Sequence, residues 1–220
     1  FASDMAGTKA SYLHDWCVDN GQAFLRFDYS GHGQSGGVFE EGAISDWADD
    51  ALAVIDQLTQ GELILIGSSM GGWISCLLAK QRTERLAGIV LIAPAVDFTK
   101  ELMWPSFSAA DQATILRDGK LVVPSDFDDS AFIYTRRLFD DGVQNLVFPE
   151  ALKIPVPVHI LQGMQDEPVP WQHAMRVAAH IEAPEVTITL SKQGDHRLSR
   201  GPDLERLVQV LAGMVDLVSG

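Results

Sequence analysis

Short apolar runs rich in β-branched residues alternate along the chain with longer amphipathic stretches. The apolar runs predict strands over Ala23–Phe27, Leu63–Ile66, Ile89–Ile92, Val156–Leu161 and Val186–Leu190. The second and third runs are apolar throughout, which is typical of strands buried on both faces of a parallel sheet. The amphipathic stretches predict helices over Thr8–Asn20, Ile44–Thr59, Met70–Gln81, Trp171–Ile181 and Asp203–Val218.

The predicted helices carry apolar stripes that fit packing on a sheet. In the second helix the stripe consists of Ile44, Trp47, Ala48, Ala51, Leu52 and Ile55. Strands that alternate with such helices are joined by right-handed crossovers, which place helices on both faces of a parallel sheet. We therefore predict an α/β fold of three layers with a mostly parallel sheet, and one domain over residues 1–220.

One interval, from Val96 to Ile154, breaks the alternation because it contains no strong strand pattern. It is too long for an unstructured loop in a compact domain. We predict a small helical insertion, residues 96–154, that stands over one end of the sheet as a cap. Its aromatic side chains either suit an apolar acyl or aryl group or form the insertion's own core: Trp104, Phe107, Phe127, Phe132, Phe139 and Phe148.

Composition excludes several classes of function. The 220 residues are 46% hydrophobic, enough for one sizeable core, and 16 Lys and Arg against 30 Asp and Glu give a net charge of −14. That charge repels phosphate backbones, so we expect no nucleic-acid binding. No apolar run approaches the roughly 18 residues that span a bilayer. The two cysteines, Cys17 and Cys76, are expected to be buried, reduced thiols on helices.

The strongest chemical signal is the pattern G-x-S-x-G at the end of the second predicted strand. It reads Gly67-Ser68-Ser69-Met70-Gly71, and a helix follows it. A sharp strand-to-helix turn leaves little room beside it, which explains the two glycines and lifts Ser69 Oγ clear of the sheet as a nucleophile. Ser68 is the less favoured candidate because only Ser69 has a glycine two positions away on each side.

A serine nucleophile needs a base and an acid that orients the base, and in this arrangement they follow in the order Ser, Asp or Glu, His. The fourth predicted strand runs into Gly163-Met164-Gln165-Asp166, and Asp166 is the expected acid, with Glu167 as the alternative. The fifth leads to His196, the expected base. Asp195, its neighbour in sequence, is expected to stabilise the loop.

Two backbone N–H groups are expected to form the oxyanion hole. Met70 N–H lies at a helix N-terminus, and Phe1 N–H is the candidate second donor, from the loop at the start of the chain. His32 falls in a Gly-rich turn that is expected to be a shape requirement of the fold. The remaining histidines are expected to be structural: His14, His159, His173 and His180.

These segments together resemble the α/β-hydrolase superfamily over nearly the whole chain. They are most similar to the group that contains the mitochondrial acyl-protein thioesterase, which also cleaves mycophenolic acid acyl-glucuronide, and its bacterial relatives. The resemblance is carried by Ser3-Asp4-Met5, Gly7-Thr8-Lys9-Ala10, Arg26-Phe27-Asp28-Tyr29-Ser30-Gly31, Gly67-Ser68-Ser69-Met70-Gly71-Gly72-Trp73, Gly163-Met164-Gln165-Asp166, Val169-Pro170-Trp171 and Asp195-His196-Arg197.

The resemblance implies hydrolysis of a small-molecule carboxylic ester or thioester through an acyl-Ser69 intermediate, without a metal or organic cofactor. It implies a cytoplasmic location in a bacterium or a mitochondrial one in a eukaryote. Members of the family have strands ahead of the loop that begins at Phe1, so we expect the N-terminal strands of the fold to be missing from this sequence. Arg197 is expected to anchor the His196 loop through a carboxylate.

Other functions on the same scaffold stay open. The same three residues support C–C bond hydrolysis, amide hydrolysis or perhydrolysis, and a scaffold of this kind can serve as a non-catalytic binding protein. A serine at position 69 disfavours the dehalogenases and epoxide hydrolases that use an aspartate nucleophile.

Overall fold

The computed structural model describes residue 1, residues 3–124 and residues 131–219 of the chain. Phe127, one of the aromatic residues predicted to lie in the cap, falls outside these ranges. The helices are α1 (Thr8–Asp19), α2 (Ile44–Leu58), α3 (Met70–Gln81), α4 (Trp104–Ser106), α5 (Ala109–Asp118), α6 (Arg136–Gln144), α7 (Trp171–His180) and α8 (Gly201–Ser219). The five helices predicted from the sequence are confirmed, each with bounds within two residues of those predicted.

The strands follow the same order along the chain. They are β1 (Leu63–Ser68), β2 (Leu86–Ile92), β3 (Lys120–Pro124), β4 (Ala131–Thr135), β5 (Leu152–Lys153), β6 (Val158–Gly163), β7 (Ile181–Glu182) and β8 (Val186–Ser191). Among the described residues, β1, β2, β6 and β8 form the main sheet in that order, and every neighbouring pair is parallel. The predicted parallel sheet is therefore confirmed.

Helices cover the sheet on both faces, and successive residues of β2 show why its sequence is apolar throughout. Ile89 and Leu91 point to a core shared with α2, α3 and α7. Val90 and Ile92 point to the opposite core, which is formed with α1 and α8. Because neighbouring side chains of a strand face opposite ways, a strand between two helical layers buries all of them.

The strand predicted over Ala23–Phe27 is wrong, because this segment has no ladder partner within the described part of the chain. Its side chains still alternate as in a strand. Phe24, like Ile64 and Ile66, packs against the core on the α1 and α8 side, whereas Phe27 packs against the core on the opposite face. The side chains of the segment therefore pack on opposite faces, as in a strand. Hydrogen bonding into a sheet, however, depends on a neighbouring strand and not on the segment's own sequence pattern.

The insertion over residues 96–154 is mixed and not simply helical. It contains α4, α5 and α6 as expected, together with the antiparallel pair β3–β4, which the sequence analysis missed. The apolar run is short in both strands, Leu121–Val123 in β3 and Ala131–Tyr134 in β4, and the two strands pair with each other. Three aromatic rings of the insertion pack together, with the ring centroids of Trp104 and Phe107 at 5.1 and 5.9 Å from that of Phe139, whereas Phe148 packs against the core beneath the sheet.

Asp97 fastens the two ends of this insertion to each other. Its carboxylate, fully buried just after β2, accepts hydrogen bonds from Val147 N–H at 2.8 Å and Phe148 N–H at 2.9 Å. The far part of the insertion is held to α2, because Asp141 accepts both the N–H and the hydroxyl of Ser45. The insertion is therefore anchored at its stems and along α6.

Two glycines make room for the turn that joins β1 to α3. A Cβ on Gly67 would come within 2.3 Å of Gly71 O and 2.4 Å of Ser75 Oγ, and one on Gly72 would come within 2.9 Å of Pro94 Cβ. A Cβ on Gly71 would meet nothing within 4 Å. The steric reason that the sequence analysis gave for Gly71 is therefore wrong, and Gly67 and Gly72 carry the constraint.

Both cysteines are free and buried, as predicted. Within the described ranges, none of the helices combines the length and the apolar character that crossing a membrane requires.

The contrast between the two glycines predicts opposite results for the same substitution. Gly67→Ala forces a close contact with backbone and lowers the free energy of unfolding by about 1–3 kcal/mol. Gly71→Ala removes a flexible residue from a helix and leaves stability unchanged or raises it by up to about 1 kcal/mol. Urea denaturation of the two variants measures both values. Equal destabilisation by the two substitutions would contradict the steric account.

Buried histidines predict that stability falls in mild acid. Burial lowers the pKa of His32 and of His173, whereas the unfolded chain binds protons on histidine at a pKa of about 6.5. A lowered folded pKa means that the unfolded state takes up more protons, so stability is lost as the pH falls through about 6.5.

Urea denaturation between about pH 7.5 and pH 5.5 measures this slope. We expect His32→Gln to make the slope shallower, because one buried imidazole no longer has to become charged. The side chain of His14 on α1 is half-exposed, and His14→Gln serves as the comparison in which a less buried imidazole is removed. A His32→Gln slope as steep as that of the wild type would overturn the expectation.

Candidate active site

Ser69 sits in a strained backbone conformation at the end of β1. Its φ and ψ angles are 54° and −118°, a region that residues other than glycine rarely adopt. Three hydrogen bonds hold it there: Ser69 N–H donates to Ile92 O at 2.8 Å, and Ser69 O accepts from Gly72 N–H and Ala95 N–H. The end of β2 thus fixes the serine, and its side chain is presented at the carboxyl edge of the sheet.

The loops that carry Asp166 and His196 approach each other closely. A Cβ on Gly163 would lie 2.3 Å from Gly194 O, so glycine at this position lets the two loops touch. Gln165 N–H donates to Gly194 O at 2.8 Å, which fastens the loop after β6 to the loop after β8. Because β6 and β8 are adjacent and parallel, both loops leave the same edge of the sheet.

Asp166 is held by several donors at once. Its side chain is fully buried, and its Oδ1 accepts a hydrogen bond from Val169 N–H at 2.8 Å. Its Oδ2 accepts from Gln162 Nε2 at 2.9 Å and lies 2.9 Å from His196 Nδ1. An ionised carboxylate is only an acceptor, so the Nδ1 of His196 carries the proton in this pair.

The structure brings the three predicted residues into one chain of hydrogen bonds. His196 Nε2 lies 3.0 Å from Ser69 Oγ, while Nδ1 faces Asp166. With the proton on Nδ1, Nε2 is free to accept the hydroxyl proton of the serine. The alternatives stay outside: Glu167 is exposed, and Asp195 Oδ1 accepts Leu198 N–H within its own loop, as predicted.

The two residues predicted for the oxyanion hole are Met70, at the start of α3, and Phe1, at the start of the sequence. Met70 opens α3 directly after Ser69, and its N–H has no acceptor within the described part of the chain. The ring of Phe1 packs 5.8 Å from Phe98, which packs in turn 5.5 Å from Trp73 of α3. The loop after Phe1 is tied down where Met5 N–H donates to Asp28 Oδ1 at 2.6 Å.

The other histidines contact neither Ser69 nor Asp166. His32 is buried among Tyr29, Phe39 and Trp47, and its Nδ1 lies 3.2 Å from Ser30 O, so it belongs to the core of its turn. Each of the remaining four faces a structural partner within a helix, a strand or the insertion: Asp15 for His14, Thr189 for His159, Val96 O for His173, and Val147 O and Glu150 O for His180.

Sequence reasoning missed several residues around the site. The expectation for Arg197 is wrong, because within the described residues its guanidinium pairs with no carboxylate. Arg200 anchors this loop instead, through Asp203 at 2.7 Å, and Lys9 Nζ donates to the backbone oxygen of Arg197. Gln162 ends an apolar strand run, and nothing in the local pattern marked its contact with Asp166.

No three His, Cys, Asp or Glu side chains among the described residues are grouped as a metal ion would need. The contacts of Ser69, His196 and Asp166 support the chemistry of an activated serine: a hydroxyl beside an oriented imidazole, with N–H groups at a helix start close by.

Known proteins of similar sequence include hydrolases. The sequence model of a family described as serine aminopeptidase, S33 (Hydrolase_4) matches residues 6–125. The mouse protein named palmitoyl-protein thioesterase ABHD10, mitochondrial, is 33% identical over 220 residues, which is 100% of this chain and 74% of that protein.

Solved structures extend the agreement to the fold. A putative hydrolase from Agrobacterium vitis S4 superposes with a TM-score of 0.93 at 43% identity, over 97% of this chain and 84% of that one. Mouse alpha/beta hydrolase domain-containing protein 10 superposes with a TM-score of 0.90 at 32% identity, over 99% of this chain and 87% of that one. On these matches together with the sheet topology, the chain belongs to the α/β-hydrolase superfamily of serine hydrolases.

Proposed function

We propose that this chain hydrolyses carboxylic esters or thioesters through an acyl-Ser69 intermediate. The observation that carries the proposal is the continuous set of contacts from Ser69 Oγ through His196 to Asp166, at 3.0 and 2.9 Å. The mouse relative is named a palmitoyl-protein thioesterase, which supports an acyl group as the part of the substrate that is transferred. We propose a small-molecule acyl ester or thioester as the substrate, with an S-acylated protein as the alternative that the name of this relative raises.

Acylation begins when His196 Nε2 takes the proton of Ser69 Oγ as the oxygen attacks the acyl carbon. The imidazolium that forms is stabilised by Asp166, which also keeps the imidazole oriented. His196 then gives this proton to the leaving alcohol or thiol, and the acyl group stays on Ser69. In the second half of the reaction, His196 takes a proton from water as the water oxygen attacks the acyl carbon. The bond from the acyl carbon to Ser69 Oγ then breaks, His196 returns the proton to Ser69 Oγ, and the acid is released.

Met70 N–H and Phe1 N–H are proposed to stabilise the negative charge on the carbonyl oxygen in both steps. The unused N–H of Met70 at the first position of α3 supports this role, because the N-terminus of a helix favours negative charge. Phe1 is proposed as the second donor because the loop that follows it is held in place: Asp28 accepts a hydrogen bond from this loop.

Residues 96–154 are proposed to cover the acyl pocket as a cap. The segment leaves the sheet at the end of β2, where Ala95 N–H donates to Ser69 O, so its first residues adjoin the nucleophile. Asp97 and α6 hold the segment in place through hydrogen bonds. The segment can therefore form a fixed wall of the site.

Amide hydrolysis is the second candidate, because the matching family model is described as a serine aminopeptidase. A substrate panel separates the two functions: p-nitrophenyl esters of increasing acyl length, S-acyl peptides and aminoacyl p-nitroanilides. We expect turnover of the esters or thioesters to exceed that of the anilides. The reverse order would make amide hydrolysis the primary activity.

Substitution of the neighbouring serines tests the nucleophile. We expect Ser69→Ala to lower kcat on a p-nitrophenyl acyl ester by at least about 10³-fold, because imidazole and oxyanion donors alone give little turnover. Ser68→Ala, one residue earlier on β1, is the matched control and keeps turnover within about threefold, because among the described residues its hydroxyl has no hydrogen bond to Ser69, His196 or Asp166. Retained activity in Ser69→Ala would contradict the proposal.

A fluorophosphonate probe separates an enzyme from a binding protein on the same scaffold. We expect stoichiometric labelling of the wild type on the peptide that contains Ser69, and slower labelling of His196→Ala because the hydroxyl loses its base. A wild type that resists the probe while keeping its fold would favour the non-catalytic alternative.

A crystal structure of the phosphonylated protein tests the oxyanion hole. The phosphoryl oxygen occupies the place of the oxyanion, and we expect it within about 2.7–3.1 Å of Met70 N and of Phe1 N. An oxygen that points toward other donors would reject the assignment of Phe1, of Met70 or of both.

A further inference from the structure

Gln162 is the one wholly buried amide beside the proposed catalytic acid in the described residues. It lies next to the end of β6 and has no exposed surface. Its Nε2 donates toward three oxygens: Asp166 Oδ2 at 2.9 Å, Gly163 O at 3.0 Å and Val169 O at 3.0 Å. All three acceptors belong to the turn that presents Asp166.

The orientation of this amide follows from its neighbours. A rotation that exchanged its nitrogen and oxygen would set Oε1 against three acceptors, so the network fixes which atom faces Asp166. In the observed orientation Oε1 is buried and has no hydrogen-bond partner among the described residues. A buried acceptor without a partner is costly, and an apolar side chain of the same size would avoid that cost.

We propose that Gln162 is a positioning residue that orients the carboxylate of Asp166 toward His196, a role that rests on the proposed function. Val169 N–H holds Oδ1 and Gln162 Nε2 holds Oδ2, so the plane of the carboxylate is fixed from both ends. Oδ2 can still accept a second hydrogen bond, and His196 Nδ1 lies 2.9 Å from it. The same amide binds two backbone oxygens of the turn, so the turn and the carboxylate are held as one unit.

This role predicts a loss in kcat without a loss of substrate binding. In Gln162→Met the side chain keeps its size but loses both N–H donors, and we expect kcat to fall about 10- to 100-fold with KM within about twofold. Gln165→Met is the matched control on the same loop, where the exposed amide donates to Lys192 O at 3.3 Å and, among the described residues, makes no hydrogen bond to Asp166. We expect its kinetics to match the wild type.

Gln162→Glu gives a second test, with a pH dependence that a purely packing role for Gln162 does not predict. The introduced carboxyl is buried beside Asp166, which raises its pKa, and while protonated it donates an O–H to Oδ2. Once ionised, it repels the carboxylate. We therefore expect near-wild-type kcat at low pH and a loss on the alkaline side that the wild type lacks, with the thermal midpoint above the assay temperature throughout.

Two results would overturn the role of Gln162. One is a kcat of Gln162→Met within about twofold of the wild type. The other is a Gln162→Glu profile that matches the wild type or that falls only where the protein unfolds. Both leave the proposed function intact if Ser69→Ala is inactive, whereas activity in Ser69→Ala removes the function itself.

Discussion

The backbone of Ser69 is the constraint on which the rest of the site depends. Its left-handed conformation is unfavourable for a residue with a side chain, and the hydrogen bonds of Ile92 O and Ala95 N–H hold it against that cost. The turn fits only because Gly67 and Gly72 have no side chains to collide with α3 and Pro94. The nucleophile is thus placed by the junction of two strands and a helix, and the sheet supplies the rigidity.

The base and the acid reach this serine because parallel strands end at one edge. The loops after β6 and β8 touch at Gly163 and Gly194, and the hydrogen bond from Gln165 N–H to Gly194 O joins them. Gln162 and Val169 hold the carboxylate of Asp166 by hydrogen bonds. The orientation of His196 therefore depends on residues that contact Asp166 and not His196 itself. A preorganised site requires such support: each residue that contacts the substrate is held in position by residues that do not contact it.

Much of this arrangement could be predicted from local pattern, and the failures have a common cause. Alternating strands and helices, the motif at Ser69 and the order Ser69, Asp166, His196 are properties of short segments and their sequence. The strand at Ala23–Phe27, the pair β3–β4 and the contact of Gln162 depend on partners distant along the chain. A residue's own neighbours cannot show whether a strand finds a ladder partner or whether a buried amide meets a carboxylate.

The most direct test of this account is to find where the acyl group resides during turnover. Rapid quenching of the reaction with a slowly hydrolysed acyl ester, followed by peptide mass spectrometry, locates the covalent intermediate. The account predicts the acyl mass on Ser69 and, within the first turnover, a slower build-up of that mass in the His196→Ala protein, because acylation needs the base. An acyl group on Ser68 or another residue, or turnover with no covalent intermediate, would contradict it.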